Sequence, residues 1–140
     1  MLTKSHTTTM LPVIDADRAG KFYTEKLGLR DSGTTGDGTR LFMVGDGDAI
    51  GLMVAEPGAQ SKHTVLSFEV DDIRTEIREL ESRGVVFDDY DQPDLSTTDH
   101  IATMGEEKAA WFRDTEGNIL CLHEGPASRE ATGIAGRPGR

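Results

Sequence analysis

The sequence has a single cysteine, Cys121, so no disulfide can form within the chain and a reducing cytoplasm is the simplest setting. No apolar run approaches the roughly 20 residues of a membrane-spanning helix, and the N-terminus lacks the apolar segment of a signal peptide. Basic residues are also few: 15 lysines and arginines against 25 acidic residues give a net charge of −10. Nucleic-acid binders need a basic face. We therefore predict a cytoplasmic protein with neither a nucleic acid nor a membrane as its partner.

The remaining composition is that of one globular domain. A chain of 140 residues can bury a sizeable core but is too short for two ordinary domains, and 36% of its residues are hydrophobic. Residues 1–6 are expected to form a flexible leader. Residues 125–140, rich in Gly, Ala, Pro and Arg, have no apolar stripe and are expected to form a flexible tail. Residues 7–124 should hold the domain.

The first half of the chain predicts a strand, a helix and three further strands. Apolar and β-branched residues before Ile14 predict a strand from residue 7 onward. Asp15 is a typical N-cap, and the helix that it begins should end at Gly28. Glycine-containing breakers then divide residues 30–56 into three strands.

The second half repeats this order. A shift of 57 positions places Val13 on Val70 and Asp15 on Asp72. A second helix follows Asp72, residues 85–87 are predicted to form a strand, and the last two strands are joined by a tight polar turn. Because an internal repeat determines architecture, we predict an α+β fold of two tandem βαβββ modules, residues 7–57 and 62–124.

Alternation along the strands assigns each side chain to one face of a sheet. Leu11 and Val13 share an apolar face of the first strand, whereas Thr8 and Met10 share the opposite face. The apolar face of the fifth strand carries Leu66, Phe68 and Val70, and its mixed face carries His63, Val65, Ser67 and Glu69. The apolar faces should pack against the helices, which have no other large apolar partner. The mixed faces should then line a cavity where two curved sheets meet.

Three motifs in this order resemble those of the vicinal-oxygen-chelate superfamily, which includes glyoxalase I, extradiol dioxygenases and bleomycin-resistance proteins. The motifs are residues 11–19 with Phe22-Tyr23 and 27–29, residues 68–72, and residues 112–118. The resemblance implies a glyoxalase/bleomycin-resistance-like domain with helices on the outer faces of its curved sheets. It further implies a U-shaped cavity, usually in a homodimer.

The metal-dependent members of that superfamily hold a divalent ion with His, Gln or Glu side chains on the first and last strands of each module. The matching positions here carry Thr8, Met53, Val65 and Cys121. A hydroxyl, a thioether, an isopropyl group and a thiol do not suit a hard divalent ion. We therefore expect a cavity with no metal and no cofactor.

A shifted site is the alternative. His63 lies two residues before Val65, and His123 two residues after Cys121, so strand alternation places each on the inward face. These two histidines and Cys121 could form a soft-metal set, or Cys121 could be a nucleophile with a histidine base. The histidines could equally decorate a pocket mouth, with Cys121 as a small buried hydrophobe.

Further candidates lie nearby. Residues 88–107 are acidic and turn-rich, and we interpret them as a solvated loop, although their aspartates could attract a cation or a basic ligand to the cavity mouth. Within it the Asp99-His100 pair could orient a ligand or end the loop. Trp111 and Tyr90 could wall a pocket, although aromatic residues of a small domain are usually core. Several methionines could provide an adaptable apolar lining.

The sequence thus predicts a small-molecule-binding protein of the glyoxalase/bleomycin-resistance type, with a metal-free cavity and a homodimeric state. Its acidic balance suits a cationic or aromatic organic ligand. The alternative is a glyoxalase- or dioxygenase-like enzyme (a lyase, isomerase or oxygenase) that uses a non-standard metal site or metal-free acid–base chemistry. The predicted ligand-binding residues are Thr8, Met10, Met53, His63, Val65, Trp111, Cys121 and His123.

Overall fold

Two βαβββ modules follow one another in the computed structural model, which describes residues 1–126. This confirms the predicted α+β class. The first module consists of β1 (Thr8–Val13), α1 (Ala16–Lys21) continued by a π-helical turn (Phe22–Lys26), β2 (Arg30–Thr34), β3 (Arg40–Val44) and β4 (Asp48–Val54). The second consists of β5 (Thr64–Glu69), α2 (Ile73–Ser82), β6 (Phe87–Asp88), β7 (Asp91–Gln92), β8 (Leu95–Ser96), β9 (Ala102–Met104), β10 (Glu107–Arg113) and β11 (Ile119–Glu124). A short 3₁₀ turn, Leu2–Lys4, precedes them.

Each module builds a sheet of the same strand order. The first sheet runs β1-β4-β3-β2 and the second β5-β11-β10-β6, with β9 also paired to β10. In both, the first strand of the module lies parallel to its last strand. The β1–β4 register is unbroken, whereas the β5–β11 register shifts between Ile119 and Leu120.

The helix starts follow the predicted caps. The Asp15 carboxylate accepts hydrogen bonds from the backbone N–H groups of Asp17 and Arg18, and Asp72 accepts one from Thr75. Each helix packs on the sheet of its own module. Of residues 1–126, no helix is long and apolar enough to cross a membrane.

The buried residues of both modules form one continuous cluster. Leu11 and Val13 are fully buried, and Phe68 and Val70 pack partly buried against the cluster, as predicted for the apolar faces. Val65, predicted on the mixed face of β5, is wrongly assigned: it also packs against the cluster, at the point where the β5–β11 register shifts. The two helices meet near their C-terminal ends, where the Arg83 guanidinium donates to the Glu25 carbonyl at 3.4 Å. The face of the first sheet opposite the helices carries exposed residues, among them Thr8, Met10 and Met53.

The region between α2 and β10 differs from the prediction. The expected strand at residues 85–87 is reduced to Phe87–Asp88, and Val86 is 80% exposed. The stretch expected to be a loop contains the β7–β8 hairpin and β9. Strands of two or three residues are too short for alternation to reveal them in a sequence. Most of the expected tail lies outside the described residues.

The polar turn between β10 and β11 fastens the second module to the first. Buried Asp114 accepts hydrogen bonds from the Tyr23 hydroxyl at 2.7 Å and from the Asn118 side chain at 2.8 Å. Glu116 accepts from the backbone N–H groups of Ile14 and Asp15 and from Arg18. The hydrogen bond from the Arg18 guanidinium, with those backbone groups, lowers the pKa of Glu116 to about 2 against the opposing effect of burial.

Candidate functional site

Methionines occupy the face of the first sheet that is turned away from the helices. Met10 and Met53 are 45% and 44% exposed, and they lie on the adjacent strands β1 and β4. The Met10 sulfur lies 2.8 Å from where a Cβ on Gly51 would be, so the glycine makes room for the thioether on the sheet. Met43, half-buried on β3, pairs with Ala49, which itself pairs with the exposed Thr8. The result is an exposed methionine face: Thr8, Met10, Met43 and Met53.

An aromatic wall occupies the corresponding face of the second sheet. Trp111 on β10 pairs with Cys121 on β11. Its indole N–H donates to the Thr64 hydroxyl at 3.1 Å, and the Tyr90 ring lies edge-on to it with centroids 5.5 Å apart. The hydrogen bond and the ring contact together orient the indole.

Two carboxylates hold His123 on this second-sheet face. Nδ1 lies 2.6 Å from a Glu69 oxygen and Nε2 lies 2.7 Å from a Glu107 oxygen. Burial lowers the pKa of His123, but the two carboxylates outweigh it and raise the pKa above its ordinary value. Carboxylate oxygens at both ring nitrogens favour the imidazolium, which has an N–H group for each of them. In this state it has no lone pair for a metal ion or for a proton.

Cys121 is a buried thiol rather than an activated one. Burial raises its pKa, against a smaller lowering by Ser67, and its S–H donates to the Leu122 carbonyl at 3.2 Å. A thiol in this state is a poor nucleophile, because the thiolate is the reactive form. The geometry therefore gives no support to a cysteine nucleophile with a histidine base.

The remaining predicted residues take no part in such a cluster. His63 is exposed just before β5, with Nδ1 3.1 Å from the Thr64 carbonyl, and Val65 packs partly buried against the core. Within residues 1–126, no group of three or more His, Cys, Asp or Glu side chains is placed to hold a metal ion. The donor chemistry at Thr8, Met53 and Cys121 likewise does not fit a hard divalent ion.

A cleft of about 640 Å³ opens between β1 and β5. Thr7, Thr9, Leu66 and Phe68 contribute to its walls, as does Glu69, the partner of His123. The predicted ligand-binding residues of the described chain do not line this cleft. Thr8, Met10 and Met53 belong to one sheet, and Trp111, Cys121 and His123 belong to the other.

The sequence does not predict Glu69 and Glu107 as residues of this site, and it indicates Tyr90 only as a possible pocket wall. Alternation places Glu69 on the mixed face of β5, but its contact with His123 depends on the β5–β11 pairing. Glu107 lies 16 residues from His123 in sequence and reaches it only through the β10–β11 pairing. Tyr90 falls in the stretch interpreted as a loop. Acidic residues on the mixed faces of the strands are the sequence feature that could have indicated the partners of His123.

The chain matches a known protein family over most of its length. A family model described as the Glyoxalase/Bleomycin resistance protein/Dioxygenase superfamily matches residues 5–122. The chain belongs to this superfamily. No curated protein matches it.

Several solved structures share the fold. TnmS3, an antibiotic binding protein from Streptomyces sp. CB03234, is 21% identical with a TM-score of 0.68 over 89% of this chain and 98% of that one. A superfamily member from Sphaerobacter thermophilus DSM 20745 is 22% identical with a TM-score of 0.68, over 89% and 99% of the two chains. A point mutant of the fosfomycin resistance protein FosX from Listeria monocytogenes, complexed with Mn(II) and dihydroxypropylphosphonic acid, is 16% identical with a TM-score of 0.65, over 94% and 98%. At such identities the likeness shows the fold alone.

Proposed function

We propose that this glyoxalase/bleomycin-resistance superfamily protein binds a small organic molecule at a metal-free site. The observation that carries the proposal is the chemistry of the positions that match the metal ligands of the superfamily. They hold Thr8, Met53, Val65 and Cys121, and the nearby His123 has both ring nitrogens engaged by carboxylates. Neither set suits a divalent ion that must keep open positions for a substrate.

The site is complete only in a homodimer. The methionine face lies on the first sheet and the aromatic wall on the second, and both are turned away from the helices that fill the common core. In a two-fold dimer, the methionine face of one protomer covers the Trp111 face of its partner, and the second site follows by symmetry. The exposure of Met10 and Met53 supports this arrangement, because exposed apolar side chains grouped on one sheet face commonly mark a binding surface.

The ligand is a flat organic cation. Thioether side chains adapt to aromatic surfaces, and the Trp111 indole offers a second apolar plane. One imidazolium against the carboxylates of Glu69 and Glu107 leaves a net negative charge near the wall. This balance favours a basic ligand, and the antibiotic-binding description of TnmS3 is compatible with it. We place the protein in the cytoplasm because its one cysteine is a free thiol.

Proflavine, a flat aromatic cation, tests the proposal by equilibrium dialysis against the purified protein. We expect saturable binding of one dye per site, weakened at least tenfold by Met53→Ala and by Trp111→Leu. Val86→Ala, which removes an apolar surface group away from the site, should bind like the wild type. Equal binding by all four proteins, or no saturable binding at all, would contradict the site.

The His123 arrangement also favours a second candidate, a metal-free lyase or isomerase. An imidazolium held by two carboxylates can donate a proton to a substrate oxygen and recover it later. In that case His123→Gln would abolish turnover of a candidate substrate while binding persisted. For a binding protein the same change alters affinity alone.

A further inference from the structure

A short hairpin at the edge of the second sheet places Tyr90 beside Trp111. We call this side of the second sheet, with Trp111, the ligand face. Tyr90 and Thr97 exchange backbone and side-chain hydrogen bonds at the base of β7–β8, including Tyr90 N–H to the Thr97 hydroxyl at 2.9 Å. From this base the Tyr90 ring reaches Trp111 edge-on at 5.5 Å. The position of the hairpin therefore determines whether Tyr90 holds the indole and adds its own ring to the binding surface.

His100 fastens the base of this hairpin to α2. Its Nδ1 lies 2.8 Å from the Asp89 carboxylate, next to Tyr90, and its Nε2 lies 3.2 Å from Glu81 on α2. Its ring also stacks on Phe87, with centroids 5.9 Å apart and an interplanar angle of 27°. Through these contacts a single side chain joins the hairpin, the helix and the sheet edge.

The backbone at this point is held in an uncommon conformation. Asp99 and His100 both have positive φ, 52° and 71°, between Thr98 and Ile101, which exchange two backbone hydrogen bonds. Non-glycine residues adopt this left-handed region rarely, and in succession they need support from surrounding contacts. The two carboxylates that hold His100 provide such support.

We propose that Tyr90 is a lid over the ligand face and that protonated His100 is the latch that keeps the lid closed. The proposal rests on the proposed function in that the covered face is the ligand site. It adds a residue to that site and a pH-dependent control over it.

The protonation state of the imidazole explains how pH controls the lid. The imidazolium donates to Asp89 and Glu81 at once, whereas neutral imidazole has one N–H and turns a lone pair toward the other carboxylate. The charged groups that surround the ring are Glu81, Arg74 and Arg78 of α2, Asp89 of the hairpin base and Asp99 of the turn, and most of them line a pocket of about 280 Å³. The hydrogen bond with Asp89 raises the pKa of His100, and burial opposes it with a smaller effect.

The direction of the pH effect follows. A raised pKa means that the latch is fully closed below the ordinary histidine value of 6.5 and opens as pH rises through the raised value. Ligand affinity should therefore fall at mildly alkaline pH as Tyr90 leaves Trp111.

Trp111 is the only tryptophan, so its emission reports lid position without any ligand. We would record emission of the full chain from pH 5.5 to 9 for the wild type and for His100→Asn, because asparagine tolerates positive φ. The wild type should show one transition, with a red shift as pH rises, and His100→Asn should show open-state emission at every pH. Glu81 is exposed, so Glu81→Gln should leave α2 folded. Because it removes one carboxylate from His100, it should move the transition to lower pH.

Variants of two other histidines serve as controls for the assignment of the transition to His100. His6→Gln should keep the wild-type transition, and so should His123→Gln even though His123 lies on the same sheet face as Trp111. A transition that survives in His100→Asn, or that disappears in His123→Gln alone, would overturn the latch.

Proflavine dialysis at pH 6 and pH 8.5 then separates the two proposals. If the emission transition depends on His100 while the dye never binds, the proposed function fails and the latch stands. If the dye binds equally at both pH values, the lid role fails and the proposed function stands.

Discussion

Replacing Tyr23 by phenylalanine removes one oxygen atom from the network that joins the two modules. Tyr23 is fully buried, and its hydroxyl donates to the buried carboxylate of Asp114 at 2.7 Å. Phenylalanine fills the same space, so neither a cavity nor a clash complicates the change. Asp114 keeps its hydrogen bonds from the Glu116 and Asn118 backbones and from the Asn118 side chain.

The size of the effect follows from the charge of the acceptor. A hydrogen bond to a charged group contributes about 1.5–3 kcal/mol, and water cannot replace this one because the site is buried. We expect Tyr23→Phe to lower the free energy of unfolding by about 2 kcal/mol. For a chain of this size, that corresponds to a drop of about 5–10 °C in Tm.

The effect can be measured by urea unfolding, in which we expect an unchanged m-value, and Tyr90→Phe is the matched control. Within residues 1–126 the Tyr90 hydroxyl makes no hydrogen bond to protein, so Tyr90→Phe should stay within about 0.5 kcal/mol of the wild type. The Tyr23→Phe effect should also shrink when Asp114→Asn is already present, because the two residues act as a pair. A Tyr23→Phe protein as stable as the wild type would refute the proposed role of the network.

Three further predictions concern the faces and the turn. Val70→Asp should destabilise the protein by at least about 3 kcal/mol in urea unfolding, since it places an unpaired charge against the core; an unchanged midpoint would show that the two sheet faces are wrongly assigned. Thr8→Val should change stability by less than about 0.5 kcal/mol, because Thr8 is exposed, and a large loss would show a buried, hydrogen-bonded hydroxyl. The lowered pKa of Glu116 stabilises the fold above its ordinary value of 4.5, and this contribution should be lost as pH falls toward 2. Glu116→Gln should therefore show a flatter dependence of unfolding free energy on pH between 5 and 2.5 than the wild type, and an identical dependence would contradict the ion pair with Arg18.

Much of the fold is predictable because it depends on local patterns that repeat. Asp15 and Asp72 are caps in equivalent places, and each begins its helix as expected. Leu11 and Val13 alternate with less buried neighbours, and this alternation alone assigns the buried face of β1. Such features can be predicted from the period of a strand or helix and from the chemistry of its capping residue.

The candidate site is less predictable because it depends on pairing across strands. His123 is recognisable from its face, but its two carboxylate partners come from β5 and β10 and meet it only through sheet register. For His100 the sequence leaves a choice between ligand contact and loop end. Its partners prove to be Asp89 and Glu81 rather than the adjacent Asp99, because the turn directs the ring toward α2.

Elemental analysis of untagged protein, as purified and after incubation with Mn²⁺ or Zn²⁺ followed by desalting, tests the metal-free site most directly. We expect far less than one divalent ion per chain in every sample, since the matching positions offer no suitable ligand set. A near-stoichiometric ion that is lost in His123→Gln but retained in His6→Gln would contradict it. Such a result would show that His123 gives up a carboxylate partner to bind metal.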